Sequence, residues 1–314
     1  MNGDSLLSSP ISIAAAFSLL AVLWGGSFVA IEIGLEYFPP LLFAGARYAI
    51  AGGIVLGYAM VVGTRWLPRT RTEWTSIAVT GVLVIAVYHA FLYVGELYVP
   101  AAIAAVVVSL SPVLTAAFAA VLLPNERVGP VEIGGFLIGI LGVALIANPS
   151  TGGLVSTELI GVGLVLASAA SFALGAVLLR PLRTEFSIVA LQGWAMVVGA
   201  GLLGVGAAVT GESIADVTLT PAAIGTLAYL ALLSGVVAFL IYFALLDTIG
   251  PTQLHLIGYA EPVTAAAASW LASDISSTAT RCSASWPSSS GSSSSNGTRS
   301  AGSFGPGSPR GPEP

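Results

Sequence analysis

Apolar residues run in nine long stretches, and the charged residues gather in the short breaks between them. Each stretch is about 20 residues or more, the length a bilayer core requires of a helix. The pattern predicts membrane spans at 11–34, 39–62, 75–97, 101–123, 130–148, 158–179, 187–209, 221–246 and 252–272. Seven arginines precede residue 272, and six lie in the breaks after spans 2, 4 and 6: Arg65, Arg69 and Arg71, then Arg127, then Arg180 and Arg183. The intervening breaks carry acids such as Glu36, Glu158, Glu212 and Asp216. Three loops on one side agree, so the positive-inside rule predicts a cytoplasmic N-terminus.

Two spans carry related text. SPVLTAAFA begins at Ser111 in span 4, and EPVTAAAAS begins at Glu261 in span 9. Each copy holds a proline, Pro112 or Pro262, which removes a backbone hydrogen bond that lipid cannot replace. Broken helices at matching places in two halves point to a transporter's central binding site. The copies lie five spans apart, and an odd separation inverts the second against the first. Ser27-Phe28 in span 1 echoes Ser171-Phe172 in span 6. The expected fold is an all-α polytopic membrane protein made of two inverted halves.

Composition agrees and removes alternatives. Hydrophobic residues make up 56% of the chain and charged residues 8%, against roughly a quarter in soluble domains. The basic residues are all arginine, which a GC-rich genome explains, and the net charge of −5 says little about partners. Cys282 is the sole cysteine, which excludes an internal disulfide or a thiolate metal site. The first ten residues lack Arg or Lys, unlike a cleaved signal peptide. No P-loop or HExxH motif occurs; Gly199-x-Gly201-x-x-Gly204 spells a dinucleotide fingerprint but lies inside a span and follows no strand. No cofactor, metal or nucleic acid is expected. The expected partners are the bilayer, a small-molecule substrate and, as options, a coupling proton and a second copy in a homodimer.

LWGGSFVAIE in span 1, FPPLLFAGARY opening span 2, and ELYVPAAIAAVVVSLSPVLTAAFAAVLLPNERV across spans 3 and 4 resemble one EamA repeat; GVVAFLIYFALLDTIGPTQLHLIGYAEPVTAAAASWL resembles the end of a second. From residue 11 to about 272 the chain is similar to the ten-helix EamA-type transporters of the drug/metabolite transporter superfamily. The resemblance implies two inverted five-helix repeats, here 1–149 and 150–272, around a central cavity. It also implies export of small metabolites, amino acids or drugs. The departure is the Ser/Gly/Pro-rich text of 273–314, which reads as a disordered tail where a tenth helix belongs. A one-base frameshift near Ala272 accounts for it, because a run of TCG serine codons shifted by one base reads as valine. A genuine disordered extension is the alternative.

Polar groups at bilayer depth are costly, so each is weighed as functional against a packing role. Glu261, before Pro262, suits binding of an amine or exchange of a proton; protonated, it could instead cap the broken backbone. Tyr88 and His89 lie mid-span, and His89, Tyr93 and Glu96 share one helical face. His89 titrates near neutral pH or makes an interhelical bond, and Glu96 is expected to be interfacial. His255, Tyr259 and Pro262 form a comparable face. Arg47 could pair with Glu261 or Glu32 or attract a substrate carboxylate, although snorkelling outward is slightly favoured. Ser109 and Ser111 suit a ligand, but backbone repair is commoner. Trp24, Trp194, Tyr229 and Tyr242 wall a cavity or pack. Gly53-xxx-Gly57 and Gly135-xxx-Gly139 permit close helix packing.

The leading reading is a secondary transporter or facilitator exporting small organic solutes by alternating access, either by proton antiport through Glu261 or His89 or by uniport, which needs no titrating residue. An intramembrane enzyme and an inactive truncated product are the alternatives.

Overall fold

A computed structural model describes residues 9–124 and 157–284 apart from 64, 183 and 255, together with the isolated residues 134 and 141. The chain divides into two units, 1–274 and 275–314; of the second, only residues to 284 are described. Every regular element among the described residues is helical.

Seven helices are long and apolar enough to cross a membrane. They are α1 Pro10–Gly34, α2 Pro40–Val61, α3 Arg71–Gly95, α4 Ala101–Leu122, α5 Thr157–Leu179, α6 Ile188–Thr210 and α7 Pro221–Gly250. An eighth, α8, is Ile257–Ala284. These match spans 1–4 and 6–9. Span 5, Arg127 and the Gly135-xxx-Gly139 spacing lie outside the described residues.

Local sequence sets the helix ends. Ser9 caps α1 and Thr70 caps α3 with capping boxes, Pro40 and Pro221 open α2 and α7, and Ser187 caps α6. Glu73 closes the α3 box, accepts from the Arg69 backbone at 2.6 Å and pairs with Arg65 at 2.5 Å. α2 has no side-chain cap of its own, because Pro39 precedes it. Glu212, from the segment after α6, supplies one in trans: its carboxylate accepts the amides of Leu41 at 3.1 Å and Leu42 at 2.8 Å.

The two prolines behave differently. α4 is interrupted at Ser109 and Leu110, immediately before Ser111 and Pro112. α8, in contrast, runs continuously through Pro262. The break in that part of the chain comes earlier, where Gly250 takes φ 77° and where α8 restarts at Ile257. The expectation of matched breaks at both prolines is therefore corrected. α8 also continues past Ala272 to Ala284, so the first part of the supposed disordered tail is helical; residues 285–314 lie outside the described residues.

A different matched feature replaces the broken pair. α3 widens into a π-helix over Thr80–Val87, and α7 does so over Tyr229–Val237. Aligning Pro100 with Pro251 pairs Leu83 with Ser234, one in each wide segment. A π turn frees a carbonyl from the regular ladder, and in lipid it needs a donor. Ser171 on α5 donates to the Leu83 carbonyl at 2.8 Å, and the Trp24 indole on α1 donates to the Ser234 carbonyl at 3.3 Å. A helix from each half thus completes the wide turn of the other.

Close packing uses small residues, but not the pair expected. A Cβ on Gly53 or Gly57 would meet nothing within 4 Å, whereas one on Gly52 would lie 2.9 Å from the Met196 Cβ. The seam between α2 and α6 runs along Gly52, one position away. α1 crosses α8 just as closely at Gly25, where a Cβ would lie 2.7 Å from the Glu261 carbonyl.

Candidate functional site

Arg47 sits in the second turn of α2 with only 4% of its surface exposed. It points inward, so the snorkelling expectation is wrong. Its two terminal nitrogens donate to the Tyr93 hydroxyl of α3 at 3.2 Å and the Ser234 hydroxyl of α7 at 3.0 Å. The guanidinium also lies 4.9 Å from the centre of the Tyr48 ring. Nε has no partner, and among the described residues no carboxylate pairs with this cation. The expected partners Glu261 and Glu32 do not reach it; Glu32 instead accepts the Ala101 amide at 3.3 Å. A buried guanidinium held only by neutral hydroxyls keeps its full charge available to an anion.

The face of α3 predicted from spacing is real and continues the network. His89 Nδ1 is 2.8 Å from the Ile85 carbonyl, and because a carbonyl only accepts, that nitrogen carries a hydrogen. Nε2 lies 2.5 Å from the Tyr48 hydroxyl. Both ring nitrogens are engaged with buried partners. Tyr88 packs against the His89 ring at 4.5 Å and against Phe172 at 5.6 Å. Glu96 ends the face. It is enclosed by the protein at the end of α3, 6% exposed, and neither carboxyl oxygen has a partner.

Glu261 is half-buried on α8 and lies within electrostatic reach of Tyr88. The neighbouring Thr264 hydroxyl bridges the Glu261 carbonyl at 3.0 Å and the α1 carbonyl of Ala21 at 2.8 Å. α8 is thus tied to α1 beside the acid. The aromatic residues of α1 and α7 adjoin this crossing. Trp24 stands 5.4 Å from both Phe239 and Tyr242, and Tyr229 donates to the Leu23 carbonyl at 3.0 Å.

Other candidates separate from this group. Ser109 and Ser111 donate to the Val106 and Val108 carbonyls, each at 2.6 Å, so both hydroxyls repair the break in α4. Tyr259 is 55% exposed, outside any enclosed site. Trp194 lies at the arginine-bearing end, donating to the Trp66 carbonyl at 2.8 Å. His255 lies outside the described residues. Two grooves of about 470 and 530 Å³ occur, one between α1, α7 and α8 and the other along α2 and α6. Neither is lined by Arg47, His89 or Glu261. Sequence reasoning missed Ser234, whose side chain and carbonyl both serve the network. Its adjacency to Gly235 inside an apolar run was the available signal, since Ser and Gly together mark irregular helix.

The comparisons fit this architecture. The chain is 31% identical over 254 residues to the uncharacterized inner membrane transporter YedA of Escherichia coli, covering 80% of this chain and 79% of that one. It is 28% identical over 235 residues to the uncharacterized transporter YvbV of Bacillus subtilis, covering 75% of each. An uncharacterized transporter of Archaeoglobus fulgidus is 29% identical over 185 residues, 58% of this chain and 62% of that protein's length. The EamA-like transporter family matches residues 11–148 and 159–279. With helices long enough to span repeatedly and a family match over most of its length, this integral multi-pass membrane protein belongs to the EamA-like transporter family.

Proposed function

We propose that the chain is a secondary transporter of the cell membrane that exports small carboxylate-bearing solutes, amino acids among them, by alternating access. The observation that carries this reading is Arg47, a buried cation with no carboxylate partner among the described residues, bonded to helices from both halves. A substrate carboxylate would replace the missing anion. Glu261, within electrostatic reach of Tyr88, suits a substrate amine or a coupled proton. The halves 1–149 and 150–272 would rock about this site as inverted repeats, a reading supported by the paired wide turns in α3 and α7. The arginine-bearing end would face the cytoplasm, with the N-terminus.

Reconstituted protein tested against labelled amino acids, simple carboxylates and amines checks the proposal. Carboxylate-bearing solutes should be transported by the wild type and not by Arg47→Met. A transported solute without a carboxylate, unaffected by that substitution, would overturn it.

A further inference from the structure

Besides its bonds to Tyr93 and Ser234, the Arg47 guanidinium lies over the Tyr48 ring, 4.9 Å from its centre. The negative face of a phenol ring attracts a cation. Consecutive residues of a helix do not face each other, so this ring needs an outside hold to stand under its neighbour's guanidinium. His89 of α3 supplies one. Its Nε2 lies 2.5 Å from the Tyr48 hydroxyl, and the two rings meet edge to face with centres 4.5 Å apart. His89 is itself fixed, because Nδ1 donates to the Ile85 carbonyl at 2.8 Å, and Ile85 belongs to the wide turn of α3. With the hydrogen on Nδ1, Nε2 of the neutral ring is bare, and the Tyr48 hydroxyl must donate to it. The surroundings favour that neutral ring. Tyr88 and Tyr93 pack on it with centres 4.5 and 6.2 Å away, and Arg47 shares both Tyr48 and Tyr93 with it. An imidazolium would set two cations on one buried tyrosine, with no carboxylate paired to either among the described residues.

We propose that His89 is a positioning residue for Arg47. As its Nδ1–H tautomer it takes the hydroxyl hydrogen of Tyr48, and so sets that ring beneath the guanidinium. Arg47 is thereby anchored to both wide turns. It reaches that of α7 directly through Ser234, and that of α3 through Tyr48, His89 and the Ile85 carbonyl. Tyr48 spends its only hydrogen on His89, which leaves the unpartnered Nε of Arg47 as the free donor for an arriving anion. His89 works by keeping its hydrogen in place, not by carrying a proton through the transport cycle. Its service to a bound carboxylate rests on the carboxylate reading of Arg47; its tautomer and its hold on Tyr48 do not.

Nitrogen NMR of protein carrying isotope-labelled histidine and arginine tests this without any solute. The histidine signals that His89→Gln removes should show hydrogen on Nδ1 and a bare Nε2 at neutral pH. Hydrogen on Nε2, or on both nitrogens, would overturn the proposal. The arginine side-chain signal that Arg47→Met removes reports the ring beneath it, because an aromatic face displaces the protons above it upfield. Two amides then separate the two links of His89. Glutamine places its amide near the position of Nε2 and asparagine near that of Nδ1. His89→Gln therefore keeps an acceptor for Tyr48, while His89→Asn keeps a donor for Ile85. The Arg47 signal should hold its place in His89→Gln and move towards that of an exposed arginine in His89→Asn and in Tyr48→Phe. A merely structural histidine would show no such split, and any other order of the two amides would overturn the proposal. The wild-type tautomer and Tyr48→Phe decide it even where an amide variant does not fold. If the transport screen yields a carboxylate substrate, its KM should rise about threefold or more in His89→Asn and Tyr48→Phe and stay near wild type in His89→Gln. A pH-jump response present in the wild type should survive in His89→Gln; its loss would make His89 a proton carrier and overturn the proposal. Because the NMR needs no solute, failure of this proposal is distinguishable from failure of the carboxylate reading.

Discussion

Replacing Gly25 by alanine adds one methyl group where α1 crosses α8. The new Cβ would stand 1.9 Å from the Thr264 Oγ1 and 2.7 Å from the Glu261 carbonyl oxygen. Neither atom can yield cheaply. The hydroxyl is short-stemmed and already holds α8 to the Ala21 carbonyl, and the carbonyl belongs to the backbone next to Pro262. α1 and α8 must therefore move apart, at about 1–3 kcal/mol for overpacking and roughly 0.6 kcal/mol more for the interhelical hydrogen bond. Gly53 provides the opposite sign, since its Cβ would meet nothing within 4 Å. There the same change removes only glycine's helix penalty, up to about 1 kcal/mol. Thermal unfolding in detergent, read as the monodisperse fraction after heating, should rank Gly53→Ala at or above wild type and Gly25→Ala clearly below. Adding Thr264→Ala should rescue Gly25→Ala only in part, because the Glu261 carbonyl contact remains. Wild-type heat resistance in Gly25→Ala would refute this account of the crossing.

Arg47→Met should keep most of the fold's stability, since loss of two bonds to neutral hydroxyls is offset by relief of a buried charge. Carboxylate transport should nevertheless fall about 30-fold or more, as expected when a charged partner worth roughly 2–5 kcal/mol is removed. Initial flux rates in vesicles, scaled to folded protein, separate the two effects. Glu261→Gln should abolish the response of flux to an imposed pH jump if that acid carries a coupled proton; a preserved response assigns the proton elsewhere. Ser171→Ala and Trp24→Phe should each cost about 1 kcal/mol by leaving a carbonyl of a wide turn unpaired, and the two losses should add because the bonds share no partner. Heat-resistance measurements on the singles and the double check this.

Long apolar runs and arginine placement made the helices legible. At Arg47, sequence allowed pairing, snorkelling or substrate binding. The choice depended on Tyr93 and Ser234, which lie 46 and 187 residues away along the chain. The burial of Glu96 was not legible, because its place after Gly95 is a helix end and only the packing of neighbouring helices encloses it. The prolines misled for a related reason. Ser109 and Ser111 donate to carbonyls at the break before Pro112, whereas α8 stays continuous through Pro262. A proline shows where a bond is lost, not whether the helix parts.

The wide turns show how the two halves constrain each other. Thr80-Gly81 lies in the α3 segment and Ser234-Gly235 in that of α7. Gly81 admits α6, where a Cβ would meet the Ala195 carbonyl at 3.1 Å; Gly235 admits α2, where it would meet the Ala51 Cβ at 2.9 Å. Each wide turn is therefore contacted by the opposite half twice, once through a donor to its freed carbonyl and once at its glycine. Ser234 adds a third link, because its hydroxyl holds Arg47. Movement of one half against the other must change these contacts together, and Arg47 is the member whose partner an arriving anion can replace. Binding at that residue would then bear directly on the α7 turn, because Ser234 carries both the hydroxyl that holds Arg47 and the carbonyl that Trp24 holds.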